Sequence, residues 1–90
     1  MATYLIGYDL TDKTEGAYED LIQTIKGLGT WWHHLDSTWI VLTELSAKEV
    51  RDKLTPHIKS NDEVLVAKYG GEAAWRGFND RASNWLKEHL

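Results

Sequence analysis

Apolar and polar positions change period several times along the chain, and each change marks an element. Residues 3–9 alternate and are rich in aromatic and aliphatic side chains, the pattern of a strand. A polar stretch follows. Tyr18, Leu21, Ile22, Ile25 and Leu28 then recur at helical spacing, and Gly27 and Gly29 close the helix. Residues 31–35 and 38–43 read as two strands joined at Asp36-Ser37. Ser46-Ala47-Lys48-Glu49 is a capping box, in which a hydroxyl and a carboxylate satisfy free amides of a first turn. The helix that it starts places Ala47, Val50, Leu54 and Ile58 on one side, and Pro56 limits its end. Ser60-Asn61-Asp62 predicts a turn and residues 63–69 a fourth strand, broken by Gly70-Gly71. Asn79 can cap a last helix whose Ala82, Leu86 and His89, or Trp85 and Leu90, face inward.

The resulting order is βαββαβ with an extra C-terminal helix. This is the ferredoxin-like, split-βαβ arrangement of the α+β class. Right-handed crossovers put both early helices on one face of a four-stranded antiparallel sheet and leave the other face bare. The chain is expected to be one domain, with a core over residues 1–69 and an extension over 70–90. The extension, or a second copy of the chain, is expected to cover the bare face. A homodimer or a higher homo-oligomer is the expected assembly, since two-fold contacts are the commonest kind.

The hairpin carries three of the five tryptophans and two of the four histidines. A two-residue loop at Asp36-Ser37 pairs Leu35 with Thr38 and His34 with Trp39. Trp32, His34, Trp39, Val41 and Thr43 then share one face, and Trp31, His33, Leu35, Ile40 and Leu42 the other. The second set is richer in aliphatics and is expected under the helices. The first is expected on the open face, at an interface or in a pocket.

Composition excludes several functions. There is no cysteine, so disulfides and thiolate-metal sites are absent. The formal net charge of -4 and the lack of any basic run disfavour duplex DNA as a partner. Lys48, Arg51, Lys53 and Lys59 are interrupted by Glu49 and Asp52, the usual composition of a solvated helix face. The first residues do not read as a signal peptide, and no apolar run reaches the ~20 residues that span a bilayer. A cytoplasmic protein without a membrane partner is expected.

His33 and His34 look like a metal pair, but neighbours on a strand point to opposite faces, so the pair is poorly suited to chelation. Asp9 ends the first strand, where a carboxylate can hold a hard cation or cap the following loop. Asp36 and Ser37 are ordinary turn residues. In Trp75-Arg76-Gly77-Phe78, the aromatic rings can stack on a base and Arg76 can pair with a phosphate, or the segment can simply pack across the sheet.

Together these segments carry a resemblance. Trp31-Trp32-His33-His34-Leu35-Asp36-Ser37-Thr38-Trp39, Asp62-Glu63-Val64-Leu65-Val66 and Ala73-Ala74-Trp75-Arg76-Gly77-Phe78 resemble the SinR-like small proteins. With Tyr8-Asp9-Leu10, the βαββαβ order and Ser37 before an aromatic strand, the chain is also similar to the small ferredoxin-fold subunit of the CRISPR spacer-acquisition complex. The resemblance implies a dimer. It also implies that Asp9 matches the aspartate with which nuclease-active members bind a divalent metal, magnesium or manganese, at the two-fold axis. The chain departs from that subunit in its acidity and its tryptophans, which suit a smaller nucleotide better than a duplex.

Three functions follow as expectations. The first is sequestration of a nucleotide-type ligand by Trp32, His34, Ser37, Trp39, Trp75, Arg76 and Phe78, in antiviral signalling or its viral evasion. The second is a metal-dependent phosphodiesterase or nuclease with Asp9 as catalytic metal ligand at a dimer axis. The third is a non-catalytic adaptor whose tryptophans anchor an interface.

Overall fold

The computed structural model describes residues 1–90. Its elements run β1 (Ala2–Asp9), α1 (Glu19–Lys26), β2 (Thr30–Leu35), β3 (Thr38–Thr43), α2 (Ala47–Leu54), β4 (Glu63–Lys68) and α3 (Asp80–His89), with a short 3-10 turn at Thr55–His57 after α2. The strands form one sheet in the order β2-β3-β1-β4, and every neighbouring pair is antiparallel. This small α+β architecture of four antiparallel strands and three helices is compatible with a ferredoxin-like fold. No helix is long and apolar enough to cross a membrane.

Local chemistry explains the helices. α1 carries Glu19 and Asp20 in its first turn and Lys26 in its last, as the helix dipole favours. α2 has the full capping box: the Glu49 amide donates to Ser46 Oγ at 3.1 Å and the Ser46 amide to Glu49 Oε1 at 2.9 Å. α3 is capped by Asn79, whose Oδ1 accepts from the Ala82 amide at 2.9 Å. Between α1 and β2 the chain passes so close to β3 that a Cβ on Gly29 would overlap the Leu42 carbonyl oxygen.

The main core lies between the sheet and the first two helices. Tyr4 and Ile6 of β1 and Trp39 and Val41 of β3 meet Leu21 and Ile25 of α1 and Val50 and Leu54 of α2. Full burial of each aliphatic side chain contributes about 1.5–3 kcal/mol. A second, smaller core lies on the opposite face. There Trp32 packs with Ala82 and Leu86 of α3, bordered by Ile40, Trp75, Phe78, Trp85 and Leu90. The tail therefore covers the β2–β3 half of this face. On the β1–β4 half, Leu5 and Leu65 remain 39% and 61% exposed.

The hairpin differs from the sequence expectation. Leu35 pairs with Thr38, as the two-residue loop requires, but a bulge at His34 makes His33, not His34, the partner of Trp39. An inserted residue inverts the alternation of one strand against the other. Trp31 now lies opposite Val41, and Trp32 opposite Ile40. Trp39, Val41 and Thr43, expected on the open face, are buried on the helix-covered face instead. Trp39 pairs with Ile6 of β1, so its side chain shares that strand's core face. Trp31, His33 and Leu35, expected in the core, stand exposed because β2 is an edge strand.

Candidate functional site

A cleft of about 550 Å3 lies between β2 and the start of α3. Trp31, Trp32, His33 and His34 line it from the strand, and Asn79, Arg81, Ala82 and Trp85 from the helix and its cap. Four consecutive strand residues line one cleft although their side chains alternate between faces. The cleft therefore follows the free backbone edge of β2, where outward N–H and C=O groups have no strand partner.

Trp32 is the floor rather than a free stacking ring. It is 6% exposed, and its Nε1 donates to the Ala82 carbonyl at 3.2 Å. Its ring centroid is 5.5 Å from that of Phe78 and 6.0 Å from that of His34. His34 and Phe78 meet edge-on at 4.8 Å, so Phe78 steadies the His34 ring. Trp85, half-buried, stacks on His89 at 4.1 Å, and the His89 Nδ1–H donates to the Trp85 carbonyl at 2.8 Å. Arg81 is exposed and takes no part in the ion pairs of the chain, which join Met1 to Glu44, Lys48 and Arg51 to Asp52, and Lys59 to Asp12.

A smaller notch of about 280 Å3 lies at the end of β1, lined by Tyr8, Asp9, Leu10, Asp12, Lys13, Tyr18, Asp36 and Ser37. A clasp beside the notch, which shares Asp12 with it, holds the loop after β1. Asp62 accepts from the Thr11 amide, the Thr11 hydroxyl and the Lys59 amide, each at 2.8 Å. Partial burial works against its charged form, but the hydrogen bonds from Lys59 and Thr11 prevail and hold the carboxyl at about 2. Asp12 is drawn far below the ordinary carboxylate range, first by its hydrogen bond from Lys59 and then by Thr14. Asp12 is thus committed to the clasp. Asp9 is exposed at the rim, and no group of three His, Asp or Glu side chains gathers closely enough in one chain to hold a metal ion.

The structure brings some expected residues together and separates others. Trp32, His34, Trp75 and Phe78 form one aromatic group with α3, in which Trp75 Nε1 donates to Ser83 Oγ at 3.2 Å. Asp9 and Ser37 belong to the notch. Trp39 is fully buried and cannot meet a ligand, a correction that follows from its pairing with Ile6 of β1 on the helix-covered face. Arg76 is exposed outside both regions, and the guanidinium at the cleft is that of Arg81. The signal for Arg81 was present in the chain: with Asn79 as cap, Arg81 and Trp85 stand four apart on one helix face.

No protein-family model matches the chain. The structure is similar to the crystal structure of a hypothetical protein, TT1823, from Thermus thermophilus, with a TM-score of 0.67 at 18% identity, over 86% of this chain and 92% of that one. At that identity the likeness shows the fold alone.

Proposed function

We propose that this chain is a ferredoxin-like protein of the SinR-like type that binds and sequesters a nucleotide-type ligand in the cleft between β2 and α3. The observation that carries the reading is the meeting of Trp85, His34 and a free Arg81 guanidinium along the open edge of β2. An aromatic plane stacks on any base, a guanidinium pairs with phosphate oxygens, and an open strand edge offers hydrogen bonds to a base edge. The reading includes a homodimer. The uncovered β1–β4 half of the sheet, with Leu5 and Leu65 exposed, is the surface on which the second copy would sit.

A second reading rests on the notch. Asp9 at the end of β1, beside Asp36 and Ser37, suits a metal-dependent phosphodiesterase if two copies bring two carboxylates to one magnesium or manganese ion.

Purified protein incubated with linear and cyclic nucleotides and short oligonucleotides, with and without magnesium or manganese, separates these readings. After filtration, intact nucleotide retained by the protein and freed on denaturation supports sequestration. New products that vanish in Asp9→Asn support the phosphodiesterase. Neither retention nor cleavage overturns both and leaves an adaptor. A solution mass of one chain would remove the dimer.

A further inference from the structure

The charge of the cleft limits what it can hold. Of its eight lining residues, Arg81 is the one fixed cation, and no carboxylate lines it. Arg81 is the second residue of α3, where first-turn amides have no intrahelical acceptor and the helix dipole is positive. The Asn79 side chain already satisfies the Ala82 amide. The Lys26 ammonium, 5.2 Å over the Trp31 ring, belongs to α1 and does not line the cleft. Asp80, beside Arg81 in the first turn of α3, further limits how much negative charge this end tolerates. The chain around it has a net charge of -4.

Resting on the nucleotide reading above, we infer that the cleft takes a nucleotide with a single phosphate, its base against Trp85 and the β2 edge and its phosphate on Arg81, and selects against di- and triphosphates. One bidentate guanidinium matches one phosphate. A second or third phosphate would enter without a counter-charge, on an acidic protein, and would weaken binding rather than strengthen it. The His34 imidazole, at the same edge, offers a further hydrogen bond.

The test is a calorimetric titration at pH 8 with adenosine, AMP, ADP and ATP, and with the matching guanosine, cytidine and uridine series. The proteins are the wild type, Arg81→Gln and the α2 control Lys53→Gln, with circular dichroism to check that each is folded. The monophosphate is expected to bind roughly 10- to 100-fold more tightly than its nucleoside, the worth of charge-assisted hydrogen bonds. ADP and ATP are expected to bind no more tightly than AMP. Arg81→Gln should erase the monophosphate's advantage and leave nucleoside affinity in place, and Lys53→Gln should change neither. If a nucleoside binds as tightly as its monophosphate, or if the triphosphate binds best, this inference is overturned while the nucleotide reading stands. If no compound of any series binds, both fall.

Discussion

The His33 imidazole lies flat on the Trp39 indole, ring centroids 3.8 Å apart and planes 9° from parallel. The pair closes a small network at the hairpin turn. His33 Nε2–H donates to the Asp36 carbonyl at 3.1 Å, and Tyr8 Oη donates to the same oxygen at 3.4 Å. Tyr8 Oη in turn accepts from Trp39 Nε1 at 3.0 Å. One phenol thereby satisfies the polar atom of the largest fully buried side chain and ties β1 to the β2–β3 turn.

Tyr8→Phe is expected to leave the buried Trp39 Nε1 without an acceptor. The loss should be about 1–3 kcal/mol, the usual cost of an unsatisfied buried donor. Urea unfolding checks it through a lower midpoint at an unchanged slope.

Gly29→Ala tests the close passage between α1 and β3. Its Cβ would meet a backbone carbonyl, which has less room to give than a flexible side chain. Destabilisation of about 1–3 kcal/mol, as for overpacking elsewhere, is expected in thermal unfolding. Gly70→Ala, where the added Cβ meets nothing, should be close to neutral.

Asp62 and Asp12 make stability depend on acid. Both carboxyls are lower in the folded chain than in an unfolded one, so they favour folding above the unfolded value of about 4. That contribution is fully present at neutral pH. It is lost progressively as the pH falls from about 4 through the folded value of about 2 for Asp62. Denaturation midpoints measured between pH 7 and pH 2.5 should fall in this window. Asp62→Asn should be less stable at neutral pH and show a flatter acid limb.

Leu86→Ala tests the second core. Leu86 is buried against Trp32, and its truncation should cost about 2–5 kcal/mol or undock α3. Undocking would expose the Trp32 indole and shift tryptophan emission to the red. The shift should be smaller in a Trp32→Phe background, where only Trp75 and Trp85 of this core remain to report it.

The elements themselves were legible because their signals are local. The Ser46–Glu49 box, the Asn79 cap and the Leu21 and Ile25 spacing act within a turn or two of chain, and each is found where the pattern puts it. The candidate site was legible only in part. Trp32, His34 and Phe78 do meet, but Trp39 leaves the group, and Arg81 rather than Arg76 lines the cleft.

The chain alone determined the succession of strands and helices, the loop at Asp36-Ser37 and the pairing of Leu35 with Thr38. Tertiary structure decided which side of the hairpin faces inward. A single extra residue at His34 inverts every side chain beyond it relative to β3, and no local propensity announces such a bulge. Trp39 is inside because β1 and two helices bury its large ring there, whereas Trp31 and His33 stay near solvent because β2 is the edge. Docking of α3 then made the cleft, by setting Arg81 and Trp85 beside a strand edge fifty residues away in the chain, the separation spanned by the Trp32–Ala82 hydrogen bond.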